Sequence, residues 1–247
     1  MEAGAQLYTV RDFCRTLPDF SETLSKVASM GYKTVQVSGT CPYDAEWLRT
    51  ELAKNGLRCV ITHIPAEKLV CETEKVASEH HIFGTRYVGL GYYQFTDEAS
   101  YGTFVKTYGR VADELKKKNR YFMYHNHLSE LGRIGNEQVL RRLEHDFSPE
   151  QMGFTLDTYW IKAAGDDPVS WINELSGRVP CIHLKDHGEG GRMEALGDGS
   201  IDFEKVLAAS SDSGTEYLLV EQDDCNGGYP FACLERSLKY LHSVGIE

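Results

Sequence analysis

The stretch Tyr121-Phe-Met-Tyr-His-Asn-His127 is a short apolar run that ends in residues able to bind a metal. Three later stretches have the same form: Gly153–Asp157 (GFTLD), Cys181–Asp186 (CIHLKD) and Tyr217–Asp223 (YLLVEQD). Each is separated from the next by roughly 30 residues, the length of a strand, a helix and two loops. The pattern predicts parallel strands whose carboxyl ends meet around one site.

Strand-like and helix-like segments alternate along the whole chain, with no linker or shift in composition between them. Helical spacing follows the strands, as in Phe20, Leu24 and Val27. The eight strand candidates are Ala5–Thr9, Thr34–Val37, Arg58–His63, Arg86–Leu90, Tyr121–His125, Met152–Leu156, Val179–Leu184 and Tyr217–Val220. Eight such units predict an α/β fold in which residues 1–247 form a single (β/α)8 barrel domain.

An open doubly wound sheet that binds a nucleotide is the main alternative fold. Such a sheet usually has a glycine-rich phosphate loop after its first strand, whereas here the sequence is Tyr8–Asp12 (YTVRD). The cluster Gly188–Gly191 follows the seventh strand candidate and lacks the spacing of both nucleotide motifs. The sequence therefore favours the closed barrel.

Composition narrows the classes of partner. The net charge of −11 argues against a broad nucleic-acid surface or anionic membrane surface, and 41% apolar residues suffice for a large core. No apolar run is long enough to span a membrane, and no signal peptide is visible, so we expect a cytoplasmic protein. The seven scattered cysteines predict reduced thiols. A homo-oligomer is compatible with these features.

Four residues at strand ends are candidate ligands for a divalent metal. Asp157 ends an apolar strand, where a bare carboxylate is costly without a cation, although an Asp that caps a helix is the alternative. His183 alternates with apolar neighbours and would face the barrel interior, as a ligand or as a core histidine. With His125 and Glu221 they form a mixed set that suits Mn, Co, Zn or Mg.

The fifth strand leaves several assignments open. His125 is favoured as the fourth ligand by its position, with His127 and Glu130 as competitors for ligand or acid–base roles. Glu221 is a candidate for both ligand and base, since one carboxylate oxygen can bind metal while the other takes a proton. Further polar residues at strand ends are candidates to bind substrate: Tyr8, His63 and Lys185.

Taken together, these segments resemble the sugar phosphate isomerase/epimerase family, the xylose isomerase-like barrels that include ketose 3-epimerases and endonuclease IV. The matching segments run from Gln6–Arg11 through Gly31–Val35, Tyr124–Glu130, Leu156–Trp160, His183–Asp186, Leu196–Asp202 and Val220–Asp223. The resemblance implies a divalent metal near the barrel mouth. It also implies that Asp157, His183 and Glu221 bind it.

The sequence departs from this family at two positions. Many members have a glutamate at the end of strand five, where this chain has His125, with Glu130 further along the loop. Many also have a histidine three residues after the strand-six aspartate, where this chain has Trp160, an apolar wall on which a sugar could stack. Both departures argue against a standard ketose 3-epimerisation.

The leading hypothesis is a metal-dependent isomerase or epimerase of a small sugar, keto-sugar or polyol derivative. Glu221 would take a proton beside a carbonyl, with Glu130 or His127 as its partner and a metal-stabilised enediolate between the two steps. The alternatives are a metal-dependent lyase or dehydratase and a barrel that binds metal and sugar without catalysis. An abasic-site nuclease is disfavoured by the acidic charge and by Trp160.

Overall fold

The computed structural model describes residues 1–246 and contains a closed barrel of eight parallel strands. The strands are β1 Glu2–Gln6, β2 Thr34–Val37, β3 Arg58–His63, β4 Tyr87–Leu90, β5 Tyr121–His125, β6 Met152–Asp157, β7 Cys181–Leu184 and β8 Tyr217–Val220. Each strand pairs with its neighbours in sequence, and β8 pairs with β1. The predicted (β/α)8 barrel is confirmed.

In residues 1–246, ten α-helices connect the strands or follow the last of them. They are α1 Leu17–Met30, α2 Ala45–Asn55, α3 Ala66–Cys71, α4 Thr73–Ile82, α5 Glu98–Lys117, α6 Val139–Asp146, α7 Thr158–Ala163, α8 Pro168–Glu174, α9 Phe203–Asp212 and α10 Pro230–Ser243. Their buried apolar faces cover the outside of the barrel. None of the helices in residues 1–246 is long and apolar enough to cross a bilayer.

Short elements lie in the loops at the carboxyl ends of the strands. Across the described part of the chain, three 3-10 helices span Leu7–Phe13, Leu128–Leu131 and Glu189–Gly191. Small hairpins there pair Arg133–Ile134 with Glu137–Gln138 and Asp186–His187 with Met193–Glu194. These loops give the barrel mouth a wall above the strand ends.

The barrel interior is apolar at one end and polar at the other. The apolar side chains that fill its lower part are Val60, Ile61, Tyr87, Met123, Cys181 and Leu219. Because strand side chains alternate, the same inward-facing rows continue from Met123 to His125 and from Leu219 to Glu221. Each of these two strands therefore leads from a core residue to a residue of the mouth.

The first strand prediction was wrong in its bounds, because β1 ends at Gln6 rather than Thr9. The side chain of Gln6 accepts a hydrogen bond from the Tyr8 backbone N–H at 3.2 Å and begins the 3-10 helix Leu7–Phe13. Apolar residues in that helix mimic the pattern of a strand. The β4 and β7 strands begin one and two residues later than predicted, at Tyr87 and Cys181.

Candidate metal centre and active site

Strand pairing brings four candidate ligands together at the mouth. Asp157 and His183 are direct partners in the β6–β7 register, while His125 and Glu221 lie at the ends of the strands on either side. One ligand atom from each of the four lies within 4.8 Å of the others, and all four residues are buried. The spacing is that of a cluster able to surround one metal ion.

Hydrogen bonds orient Asp157 so that one carboxylate oxygen faces the cluster. Its Oδ1 accepts from the Trp160 backbone N–H at 3.1 Å and caps α7, and its own N–H donates to the Asn126 side chain at 3.0 Å. The other oxygen, Oδ2, is buried without a hydrogen bond. Asp157 therefore caps a helix, which was the alternative interpretation, and its second oxygen also faces the cluster.

The two histidines each use one ring nitrogen for support. His183 Nε2 lies 2.7 Å from Gln36 Oε1, which leaves Nδ1 directed at Glu221 Oε2, 2.9 Å away. His125 Nδ1 lies 3.2 Å from the Thr155 carbonyl, which leaves Nε2 available to a ligand. Such outer partners fix the tautomer of a metal-binding histidine.

Lys185 places a positive charge beside the same carboxylates. Its Nζ lies 3.0 Å from Asp157 Oδ2, 2.9 Å from Glu221 Oε2 and 2.9 Å from Asp223 Oδ2. Burial alone would lower the pKa of Lys185, but the three carboxylates outweigh it and hold the pKa well above its ordinary value. Lys185 is therefore an ammonium ion inside the site.

The carboxylates respond to this charge in different ways. Burial would raise the pKa of Glu221, but Lys185 and His183 outweigh it and hold that pKa well below its usual range. Burial raises the pKa of Asp157, against the opposing charge of Lys185. Burial and the charge of Glu221 raise the pKa of Asp223 to about 6. Glu221 is thus ionised at neutral pH.

The donor set fits a divalent metal. Three of its atoms are buried and have no hydrogen bond: Asp157 Oδ2, His183 Nδ1 and Glu221 Oε2. The two oxygens are compensated by the Lys185 ammonium, which lies 3.0 Å from Asp157 Oδ2 and 2.9 Å from Glu221 Oε2. Two imidazoles with two carboxylates are a donor set that suits a divalent cation in the same place.

A cavity of about 550 Å³ opens above the cluster. The sequence-predicted residues Tyr8, His63, His127, Lys185 and Glu221 all line it. This volume lies within the range of small-molecule pockets. The cavity is large enough for a small carbohydrate.

Neutral imidazoles form one side of the cavity. The His63 ring stacks on His125 at 5.3 Å between centroids, and burial and the nearby His183 lower the pKa of His63 to about 3. Burial and Lys185 lower the pKa of His127 to about 4. A side chain at Gly91 would place its Cβ 2.6 Å from His63 Nδ1, so glycine is required there to keep this ring in place.

Trp160 lies behind the cavity. Its ring centroid is 5.6 Å from that of His127, and Lys185 Nζ lies 5.6 Å from the Trp160 ring. Trp160 is not among the residues that line the opening. The tryptophan supports the residues that meet a ligand, and its Nε1 is buried without a partner.

Glu130 is held away from the cluster by its own loop. Its Oε1 accepts a hydrogen bond from the Tyr124 hydroxyl at 2.7 Å, and its Oε2 accepts from the His127 N–H at 2.8 Å and the Ser129 hydroxyl at 2.9 Å. It is fully buried and does not line the cavity. In the structure, this carboxylate therefore stabilises its own loop.

Two contributors to the site escaped the sequence analysis: Gln36, which supports His183, and Ser38, which lies 3.4 Å from His63. Arg11 and Asp223 also line the cavity. Gln36 alternates with valines in the strand Thr34–Val37, and a buried polar residue in an apolar strand is the signal that could have identified it.

The fold and the site together define a class of α/β barrel whose candidate metal ligands lie at the ends of strands five to eight. Residues 24–243 match the model of the xylose isomerase-like TIM barrel family, and the chain belongs to that family. The relationship predicted from sequence segments is confirmed.

Similar proteins within this group have different names. An inosose dehydratase of Lacticaseibacillus casei is 22% identical over 91% of this chain and 89% of its own. A sugar phosphate isomerase/epimerase structure from Parabacteroides distasonis has a TM-score of 0.84 at 20% identity, covering 98% of this chain and 97% of its own. An L-ribulose 3-epimerase structure has a TM-score of 0.76 at 16% identity, covering 98% and 94%. At these identities the structures establish the fold alone.

Proposed function

We propose that the protein is a divalent-metal-dependent enzyme that removes a proton beside the carbonyl of a small keto-polyol and eliminates water from the adjacent carbon. The observation that carries the proposal is the cluster of four ligand atoms within 4.8 Å of one another, directly below a cavity that Glu221 also lines. When bound, a divalent metal supplies Lewis acidity, which makes a proton beside a carbonyl easier to remove.

Glu221 is the base in this proposal. It is ionised, because Lys185 and His183 hold its pKa well below the usual range against the effect of burial. It also lines the cavity, so its carboxylate can meet a substrate carbon. His63 and His127 line the same cavity as neutral imidazoles and orient substrate hydroxyls by hydrogen bonding.

Lys185 is the acid in this proposal. As Glu221 takes the proton, the C–H electron pair forms the new C=C bond and the C–O bond of the β-hydroxyl breaks. The leaving oxygen keeps that bond's electron pair, takes a proton from the Lys185 ammonium and departs as water. The proton on Glu221 then returns to Lys185 through the cavity that both residues line.

The environment of Glu130 favours elimination over epimerisation. Epimerisation needs a second group to deliver a proton from the opposite face of the carbon, and a glutamate of strand five has that role in many relatives of this fold. Here Glu130 is fully buried and accepts three hydrogen bonds, one from the strand residue Tyr124 and two from its own loop. Elimination requires one base and one acid, which Glu221 and Lys185 supply. The name inosose dehydratase among the relatives supports the same choice.

Isomerisation or epimerisation is the second candidate. It is favoured by His63 and His127, two cavity-lining imidazoles that could exchange a proton on the side away from Glu221. The name L-ribulose 3-epimerase of a structural neighbour belongs to this class of reaction. Both candidates share the same first proton transfer.

The test is product analysis in D2O with the manganese-loaded protein. The probes are myo-2-inosose, as a cyclic keto-polyol, and L-ribulose, as an open-chain ketose. Elimination predicts a product that is one water lighter by mass spectrometry. Epimerisation predicts an unchanged skeleton with deuterium at one stereocentre in the NMR spectrum. Glu221→Gln should stop both, and the absence of water loss and of deuterium uptake from every ketone tested would refute the proposal.

A further inference from the structure

Two permanently charged cations line the mouth cavity, Arg11 and Lys185, and their surroundings differ. Lys185 is surrounded by three carboxylates. Arg11 instead donates to two backbone carbonyls, Tyr8 O at 2.8 Å and Asp223 O at 3.1 Å. Within residues 1–246, no carboxylate forms an ion pair with Arg11. Its positive charge is therefore uncompensated at a place that a ligand can reach.

The guanidinium is held in a fixed position. Its carbon lies 4.3 Å from the centroid of the Tyr8 ring, and its two carbonyl contacts come from the loops after β1 and β8. Gly39 has a φ of +69°, and a Cβ there would lie 2.7 Å from Tyr8 Cδ2 and 3.2 Å from Arg11 Cβ. The glycine thus allows the Tyr8–Arg11 pair to pack against the loop after β2.

The position of Arg11 suits the far end of a ligand. Arg11 contacts Asp223, Asp223 contacts Lys185, and Lys185 contacts Glu221. A keto-polyol whose reacting carbon faces Glu221 would therefore extend its distal substituent toward Arg11. Two N–H contacts to carbonyls leave further N–H donors free, in the fork geometry that pairs with a carboxylate or phosphate.

We propose that Arg11 selects a substrate bearing an anionic substituent, a carboxylate or a phosphate, at the end of the keto-polyol remote from Glu221. The inference rests on the proposed function for the position of the reacting end. A chain of net charge −11 with acidic residues at its mouth repels anions, so a local cation is needed to admit one. Arg11 supplies it.

The experiment compares charged with uncharged ligands by calorimetric titration of the manganese-loaded protein. The carboxylate pair is 3-dehydroquinate against myo-2-inosose, and the phosphate pair is D-fructose 6-phosphate against D-fructose. Arg11→Gln should weaken binding of the preferred anionic member by about tenfold to a hundredfold, the range for a charge-assisted pair. Binding of the neutral member should change by less than about twofold. The pair that shows the effect identifies the anion.

Two further variants separate recognition from a structural role. Arg11→Lys keeps the charge without the fork and should recover part of the lost affinity. Arg15→Gln removes an exposed arginine that pairs with Asp12, and it should change neither ligand's affinity. Equal weakening of charged and neutral ligands by Arg11→Gln would mean that Arg11 only ties two loops together, and would overturn the proposal. Failure of the wild-type protein to bind any anionic probe would overturn it as well.

The experiments distinguish failure of the proposed elimination from failure of the role assigned to Arg11. A binding difference between anionic and neutral ligands without any turnover would refute the elimination chemistry and leave Arg11 as an anion-recognition residue. Turnover of neutral and anionic substrates with equal efficiency in the wild-type protein and in Arg11→Gln would leave the chemistry in place and refute the role of Arg11.

Discussion

Glutamates flank strand β8 at both ends, and their surroundings are opposite. Glu216, at the base of the barrel, accepts a hydrogen bond from the Tyr87 hydroxyl at 2.6 Å and is exposed to solvent. Glu221, at the mouth, is buried, and its Oε2 has no aligned hydrogen bond. Because a buried carboxylate is costly without nearby positive charge, the difference favours a ligand site at the mouth and a stabilising role at the bottom of the barrel.

Some buried polar groups away from the mouth have several partners within the chain. Arg178 donates to three backbone carbonyls between 2.8 and 3.1 Å away. His80 lies 2.7 Å from the Val76 carbonyl and 2.7 Å from Thr62 Oγ1. Buried atoms without a hydrogen bond also occur elsewhere, for example Arg178 Nε and Ser210 Oγ, so what distinguishes the cluster is that three such atoms of candidate metal ligands lie together.

The largest difference between the two ends should appear in catalysis. Glu221→Gln should lower kcat/KM by about a thousandfold or more, because general base catalysis contributes roughly 10²–10⁴-fold. Glu216→Gln is the matched control on the same strand and should leave kcat/KM unchanged. Its melting temperature should fall only slightly, since the amide oxygen can still accept from Tyr87. Equal losses of activity in the two variants would contradict the assignment.

Acid should destabilise the fold through His80, whose pKa burial lowers from 6.5 to about 4. A depressed pKa means that stability is fully present above pH 6.5 and is lost as the pH falls toward 4, because the unfolded chain binds the proton more readily. The loss from this residue is up to about 3 kcal/mol.

Urea unfolding between pH 7.5 and 4 measures this effect. His80→Gln should flatten the pH dependence relative to the wild-type protein, whatever its effect on stability at pH 7.5. Parallel pH profiles for the two proteins would show that His80 does not carry this part of the acid sensitivity.

Bound metal should stabilise the folded protein through residues at the barrel mouth, and Glu216 at the bottom of the barrel should play no part in this effect. At free metal about a hundredfold above the dissociation constant, binding adds about 2.7 kcal/mol, which corresponds to a rise of roughly 5–10 °C in melting temperature. Differential scanning fluorimetry with manganese, cobalt, zinc and magnesium should give this rise in the wild-type protein and in Glu216→Gln. Asp157→Asn should largely abolish it. An equal rise in Asp157→Asn would locate the metal elsewhere.

Lys185 should weaken metal binding, because its ammonium lies 3.0 Å from Asp157 Oδ2 and 2.9 Å from Glu221 Oε2, two of the ligand atoms. Lys185→Met should raise metal affinity by about tenfold, since like charges at this distance repel. The same change should lower the melting temperature of the metal-free protein, because three carboxylates lose their counter-ion. Equilibrium dialysis measures the affinity, and unchanged affinity would show that the ammonium moves away without cost.

Much of the fold was predictable because periodic patterns determine it. Four strands have the predicted bounds, including β5 at Tyr121–His125, and alternation placed His183 on the inner face of β7. The first strand was misplaced because the hydrogen bond of Gln6 to Tyr8 begins a 3-10 helix within an apolar stretch. The change from strand to 3-10 helix depends on this one side-chain contact, so no periodic pattern in the sequence indicates it.

The site was only partly predictable, for a related reason. Residues at strand ends, such as Asp157 and Glu221, have directions set by the strand, so their convergence follows from topology. Glu130 and Arg11 lie in loops, where direction depends on contacts distant in sequence or on irregular turns. Sequence proximity suggested that Glu130 reaches the site, but Tyr124 and Ser129 hold it in its own loop.

The most direct test is a crystal structure of the protein grown with manganese, with an anomalous difference map. The account predicts one strong peak about 2.0–2.3 Å from ligand atoms of His125, Asp157, His183 and Glu221, with Lys185 moved away from two of the oxygens it now contacts. A mouth without a peak, in which Lys185 still bridges Asp157 and Glu221, would contradict the central claim that these strand ends form a metal centre.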